Sequence, residues 1–557
     1  MYKPHLILKY LRKRRIAWVS LVAVMLCTAM VLVVISVMGG WLRMFRASFQ
    51  GLSGDVVVRS QSRTGFPHYE EMIAELERRP ELVAAAVPLI QTYGLVNINN
   101  AIREAVTVVG VPLDKVGRVN GFWDSLYLNH PTASPDQPLA DLRQRHAADL
   151  RAEEQYLQEM LQAGRATPTE RDQVLAAVKA SYAQSLEPVE AWAQRRRAAT
   201  RPTFDLPWPA EQYRAALAAG TTRPSEAADA ATYPGMIVGT GLVGIDKDEH
   251  GAMDRWVGLS PENPIWVKLL TLALDPDKPN VDLERDKAER VFWIVDNSRS
   301  GVFQTDEQTV YVDFDLLQRD LNMQARQEAP DFDPDTLEPI GPMRLVPART
   351  WEVHVKLAPG VDLRAGRAAV EEVVQRVLET RSAERGVPPP TVRVETWEAR
   401  YSQFLTAVER EKALVTTLFA FISVVAIFLI FCIFYMIVQE KTKDIGIVKS
   451  VGATNAGIAG IFLGYGAAIG VVGGGLGAAV GGLIVRYINE IHGLMGSVLG
   501  IQVWNAQTYM FDRIPNTMNP REVVVIVGVA ILSSILGAVV PALRAARLRP
   551  VEALRFE

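Results

Sequence analysis

The chain has 557 residues, 49% of them apolar and 22% charged, with a formal net charge of −3. That is too polar for a wholly membrane-embedded protein, yet it holds uninterrupted apolar runs that a soluble domain does not need, so part of it is membrane and part faces water. A near-neutral balance gives no argument for nucleic acid, and the only two cysteines, Cys27 and Cys432, both lie in apolar runs, which excludes a disulfide framework for the polar part.

The N-terminus carries Lys3, Lys9, Arg12, Lys13, Arg14 and Arg15 and no acidic residue before the apolar run Ile16–Met38. The run is longer than a signal-peptide core and ends in Ser-Val-Met-Gly-Gly-Trp without an Ala-x-Ala site, so it is expected to be a retained anchor. Three more spans are expected at Leu414–Val438, Ala456–Val485 and Val523–Ala542. Basic residues set the orientation. They precede the first span, recur as Lys441, Lys443 and Lys449 between the second and third, and follow the fourth as Arg544, Arg547, Arg549 and Arg555, which puts both termini and residues 439–455 in the cytoplasm. Residues 39–413 and 486–522 then face outward, in a diderm bacterium the periplasm.

The outward region reads as mixed α/β. Short β-branched runs bounded by Gly, Pro or Asp predict strands at Asp55–Arg59, Leu95–Asn99, Ala105–Val111, Met236–Leu242, Val291–Val295, Thr309–Phe314, Trp351–Leu357 and Val392–Glu395. Helical periodicity appears in Tyr69–Arg79, Leu316–Asn322 and Arg364–Arg381. Residues 131–233, rich in Ala, Gln, Glu and Arg, read as an inserted helical hairpin over Leu139–Arg197 that turns near Gly164–Pro168, a solvated arm burying little of the core. Trp397–Lys412 continues without Gly or Pro into the second span, which predicts one stalk helix running into the membrane.

Between the second and third spans lies Gln439-Glu-Lys-Thr-Lys-Asp-Ile-Gly-Ile-Val-Lys-Ser-Val-Gly-Ala-Thr454. Ile445 with Val448 and Ile447 with Val451 recur at helical spacing, Glu440, Lys441 and Asp444 lie upstream, and Gly452 supplies a stop. The pattern describes a short amphipathic helix along the membrane, either a connector in the headgroups or a docking surface. In the third span, Gly460, Gly464, Gly466, Gly470, Gly473, Gly474, Gly477 and Gly481 form overlapping small-xxx-small registers that let helices approach closely, within one protomer or across a dimer.

Catalytic and metal motifs are missing from the sequence. It has no Gly-Lys pair and so no Walker loop, no His-Glu-x-x-His, and no Gly-x-Ser-x-Gly. Asp331, Asp333 and Asp335 alternate like the start of an EF-hand, but Thr336 and Pro342 stand where its glycine and bidentate Glu belong, so a solvated acidic turn is expected.

The segment Glu440–Ala453 with its glycine-rich sequel resembles the coupling helix and third membrane helix of the FtsX/MacB superfamily of ABC-transporter permeases, and in particular the lipoprotein-releasing LolC/LolE type. Lys9–Arg15 with Val34–Trp41, the stretches Gly235–Gly241 and Ser300–Val312, and the closing Val540–Glu557 resemble the same family, whereas residues 131–233 depart from it. The resemblance implies a four-span permease with a MacB-like α/β periplasmic core domain between the first and second helices, acting by mechanotransmission in the bacterial inner membrane. Glu440, Lys441, Asp444, Ile445, Val448, Val451 and Gly452 would form the docking helix for a dimer of a cytoplasmic ABC ATPase, which would hold the ATP and magnesium. No cofactor, metal or catalytic residue is expected on this chain. A second permease subunit, identical or not, a periplasmic lipoprotein carrier and membrane lipids would be its other partners. Export of peptides or small molecules in the MacB manner and FtsX-like control of a cell-wall hydrolase are the alternatives. A MacB chain carries its own ATPase, and the external domain here is larger than the FtsX role needs.

Overall fold

The computed structural model describes residues 15–62, 64–98, 102–128, 137–165, 167–198, 201–207, 233–242, 265–273, 286–328, 331–332, 339–340, 344–499 and 513–549, with Arg214 and Trp504. The basic residues up to Arg14, the expected acidic turn at Asp333–Pro342 in all but residues 339–340, and the closing motif beyond Arg549 lie outside the described residues. By contacts the chain divides into a unit of residues up to Ala47 with those from Tyr401 onward, and a second unit, Ser48–Arg400.

Among the described residues, four helices are long and apolar enough to cross a membrane. They are Arg15–Ser53, Ser402–Glu440, Asn455–Arg486 and Pro520–Arg547. Val24, Ile430, Phe434, Ile437, Tyr465, Ile469 and Ala538, drawn from all four, are buried together. The third span is gripped on two faces. A Cβ on Gly466 would sit 2.8 Å from that of Ala538, and one on Gly470 2.7 Å from Ile531 Cα, both on the fourth span. On the other face, a Cβ on Gly477 would lie 2.6 Å from Met25 O and one on Gly481 3.0 Å from Ala29 O, both on the first span. Gly473 likewise meets Val24, and Gly474 meets Ala530 at an ordinary 3.5 Å, whereas a Cβ on Gly460 would meet nothing and Gly464 is half-buried. The glycines thus bring three spans of one protomer to near backbone contact, where dispersion and not the hydrophobic effect holds helices together.

The expected single stalk helix is broken. The structure has a short helix Trp397–Arg400, then Tyr401 at φ −100°, ψ 17°, then Ser402–Glu440. The short helix is held by the strands it follows. The Trp397 amide donates to Asp55 O (3.2 Å), the Trp397 ring is buried, and the Ala399 amide is capped by Thr396 Oγ1 (3.2 Å).

Among the described residues, the main sheet of the second unit has nine strands, β1 Val56–Ser60, β2 Val83–Ile98, β3 Ile102–Val111, β4 Gly235–Gly239, β5 Trp266–Leu272, β6 Lys287–Ser298, β7 Thr309–Asp313, β8 Glu352–Leu357 and β9 Val392–Thr396. Their order is β9-β1-β8-β2-β3-β7-β4-β6-β5, and β5 also pairs with β2, so the last six strands close into a barrel. Strand β2 joins the two parts. Residues Val83–Leu89 pair with β8, and farther along the same edge Gly94–Ile98 pair with β5. Its other edge meets β3 only from Ile90 onward, so Pro88, which cannot donate to a ladder, falls where one edge has no partner strand among the described residues. Helices Tyr69–Glu77 and Leu363–Arg385 bury Met72, Leu76, Val370, Val373, Val374 and Leu378 in the same core as Val56, Val58, Val353 and Val355.

The inserted region forms two helices, Gln137–Gln162 and Pro168–Ala198, with Gly164 at φ +67° in the turn. Thr167 and Glu170 bond reciprocally at the start of the second helix, Thr167 N donating to Glu170 Oε2 (2.8 Å) and Glu170 N to Thr167 Oγ1 (3.3 Å). The expectation of an arm burying little core is corrected at its foot. Leu139, Val189, Trp192 and Ala193 belong to the main core, while the helices between them carry mostly exposed side chains.

Candidate functional site

The segment between the second and third spans folds as the helix Thr442–Ser450. It is set off at its start by Lys441 at φ −101°, ψ 11°, while Thr442 Oγ1 donates back to Val438 O (3.1 Å) and Gln439 O (2.9 Å). At its end Gly452 takes φ +105°, a conformation that favours glycine, and the amides of Gly452 and Ala453 bond Lys449 O (3.0 Å) and Val448 O (3.2 Å). Thr454 then caps the third span, its Oγ1 accepting from Gly457 N (3.1 Å).

Two side chains hold this helix to the membrane unit. Ile445, 6% exposed, packs with Val438, Ile458 and Ala545, one residue from each of the second, third and fourth spans. Lys449 Nζ donates to the carbonyl oxygens of Ala546 and Leu548, both at 2.7 Å, at the C-terminal end of the fourth span. A cation there satisfies carbonyls that lack helical donors and lies at the negative end of the helix dipole. Above it Arg544 lies over the Tyr435 ring, 4.8 Å from its centroid, joining the fourth span to the second.

The opposite face is open. Val451 is 85% exposed, Ile447 52% and Val448 40%, with Glu440, Lys443 and Asp444 exposed around them. Lys441 is paired with Asp444. Of the apolar residues that the resemblance implies for docking, Val448 and Val451 are on the open side, whereas Ile445 is turned inward and Ile447, outside that set, is exposed in its place. The pairing of Ile447 with Val451 at i,i+4 was the signal for this; a helix this short shows two apolar stripes, and spacing does not tell which one the neighbouring spans cover. Lys449, whose contacts need the end of the fourth span, was not separable from the other lysines by sequence.

Elsewhere in the membrane unit a cavity of about 250 Å³ opens between the first, second and fourth spans, lined by Val24, Val31, Phe419, Ala426, Val529 and Ser534 among others and predominantly apolar. Among the described residues no group of three or more His, Cys, Asp or Glu side chains is placed to hold a metal.

Residues 416–550, the second to fourth spans with the short helix, match the family described as FtsX-like permease C-terminal. The chain is similar to the lipoprotein-releasing system transmembrane protein LolC of Neisseria meningitidis, 30% identical over 164 residues, or 29% of this chain and 40% of that protein. It is similar to LolC and LolE of Haemophilus influenzae at 29% and 25% identity, in each case over 30% of this chain and 40% of the relative. The matches thus span about 40% of the length of these curated relatives. With four membrane-length helices among the described residues and an α/β unit between the first two, the chain is thus similar to the FtsX-like permeases over residues 416–550 and to LolC and LolE over about 30% of its length.

Proposed function

We propose that this chain is the membrane subunit of an ABC transporter in which a separate cytoplasmic ATPase dimer docks on the open face of Thr442–Ser450 and drives movement of an external α/β domain. The observation that carries the reading is the apolar triplet Ile447, Val448 and Val451 left exposed inside the segment that matches the FtsX-like permease family. Small apolar anchors ringed by charge suit a specific protein contact, with Glu440, Lys443 and Asp444 setting orientation. The excess of Lys and Arg on the loop and after the fourth span supports placing that helix in the cytoplasm and the α/β domain outside.

On this reading nucleotide-driven closure of the ATPase moves the docked helix. Ile445 and Lys449 pass that movement to the ends of the second, third and fourth spans. The substrate is a lipoprotein leaving the outer leaflet of the inner membrane, passed to a periplasmic carrier, with a second permease subunit completing the dimer. The apolar cavity between spans, suited to acyl chains and poor for hydrated solutes, supports a lipid-bearing substrate over a polar one. The test is release of a labelled lipoprotein from proteoliposomes that hold the purified chain with its ATPase. Release that needs ATP and this chain supports the reading; ATP hydrolysis with no release refutes the substrate.

A further inference from the structure

Among the described residues of the α/β unit, the best-buried charge cluster lies on Arg400, the last residue before the chain enters the membrane unit at Tyr401. Its Nη1 donates to Glu352 Oε2 (2.9 Å) and its Nη2 to Gln91 Oε1 (3.5 Å), with the Glu352 side chain 5% exposed and that of Arg400 15%. Glu352 Oε2 also accepts from His354 Nε2 at 3.0 Å, two residues along β8 on the same face. Glu352 Oε1 lies 3.5 Å from Arg59 Nε, its register partner on β1. Gln91 is on β2, so one guanidinium reaches two neighbouring strands directly and a third through Glu352.

A buried ion pair is a poor device for stability alone, because apolar side chains of similar volume usually serve as well or better. What it supplies is a stiff, directional contact that fixes one geometry. Backbone bonds reinforce it, since Trp397 N is tied to Asp55 O, and the Asp55 carboxylate accepts from Leu357 N (3.1 Å) and Lys356 Nζ (3.2 Å). We infer that Arg400 is a positioning residue of the transport cycle. Its contact with Glu352, steadied by His354, transmits displacement of the second span into strands β1, β8 and β2. The inference rests on the permease reading above.

The test is hydrogen exchange on the full chain reconstituted with its ATPase, with and without ATP plus vanadate. In the wild type, trapping nucleotide should change exchange in peptides covering β1 and β8 by about threefold or more. The double variant Glu352→Leu with Arg400→Met, which fills the space without charge, should keep the wild-type melting temperature, the wild-type exchange without nucleotide and the basal ATP hydrolysis, yet lose the nucleotide-dependent change. Arg400→Lys, which keeps the charge but not the fork, should retain part of it. A double variant that responds like the wild type overturns the inference. So does one already loosened before nucleotide is added, because the pair is then only a fold contact. A wild-type complex that binds nucleotide and shows no change in the α/β unit overturns the permease reading itself and the inference with it.

Discussion

Lys449 Nζ lies 2.7 Å from the carbonyl oxygen of Leu548, binding the helix between the second and third spans to the end of the fourth. A side chain so placed ties the helix Thr442–Ser450 to the end of the fourth span, and on the proposed reading the two are expected to move together. Replacing it by Met keeps the stem and removes the three donors. The expected cost is on the order of 0.3–1 kcal/mol, the usual value of a cation at a helix C-terminus. Thermal unfolding in detergent should therefore fall slightly, while ATP hydrolysis becomes less responsive to substrate. A Lys449→Met protein with wild-type stimulation would show that the contact plays no part in coupling.

Ile445 and Val451 separate seating from docking. Truncating the buried Ile445 to Ala leaves a cavity among the second, third and fourth spans and should destabilise the protein by about 2–5 kcal/mol. Val451→Ala removes a side chain that touches little in this chain and should leave the melting temperature unchanged. Equal melting temperatures for the two variants would contradict the inward orientation of Ile445.

The third span offers a paired test of close packing. Gly477→Ala places a methyl 2.6 Å from a backbone oxygen and must push the first span away, so it should lower the melting temperature by several degrees or prevent accumulation of the protein. Gly475→Ala, whose Cβ meets nothing within 4 Å, should be neutral or stabilise by about 0.5–1 kcal/mol through helix propensity. If both are neutral, the third span does not pack on the first in the way described.

His354 makes the α/β unit acid-sensitive. Burial, with Arg400 adding to it, holds its imidazole below the ordinary value of 6.5, against the opposing pull of Glu352. For Glu352, burial alone would raise the carboxyl, but the hydrogen bond from His354 and the adjacent Arg400 outweigh it and hold it at about 2. Both groups then bind protons more readily when unfolded, so stability falls as pH drops. The His354 contribution is lost from pH 6.5 downward and the Glu352 contribution from 4.5 downward. His354→Gln, which keeps a donor toward Glu352, should reduce the loss of stability between pH 7.5 and 5.5, by at most about 1.4 kcal/mol per pH unit. An identical pH dependence in the variant would place the acid sensitivity elsewhere.

The hairpin insertion divides into a foot and a tip. Trp192→Ala at the foot should cost about 3–5 kcal/mol, because Trp192 is part of the main core. Replacing residues 151–178 with a short Gly/Ser turn should leave thermal unfolding nearly unchanged. Collapse of the shortened protein would mean that the tip is needed for folding.

Sequence pattern carried the spans well, because a run of twenty uncharged residues has few other uses. The hairpin was equally legible, with Gly164–Pro168 marking its turn. Strand β2 was only half visible, since Pro88 interrupts the first half and its tolerance depends on a missing neighbour strand. Trp266–Leu272 went unrecognised beside a charge-rich flank. The foot of the hairpin, the inward turn of Ile445 and the Glu352–Arg400 pair all depend on which residues meet across long separations, and one-dimensional periodicity does not contain that. The break at Tyr401 was hidden in the same way, because nothing at 397–412 opposes helix and only the tie of Trp397 and Arg400 to the strands interrupts it.

The most direct measurement of the central claim is ATPase binding and substrate-stimulated ATP hydrolysis by the reconstituted complex carrying Ile447→Ala, Val448→Ala and Val451→Ala together. Truncating a central anchor commonly costs more than about 1 kcal/mol of binding, so the triple change should weaken ATPase co-purification by at least tenfold and abolish stimulated hydrolysis, with the chain still folded and inserted. Wild-type binding and stimulation in that variant would contradict the account, leaving Thr442–Ser450 as a connector between two spans.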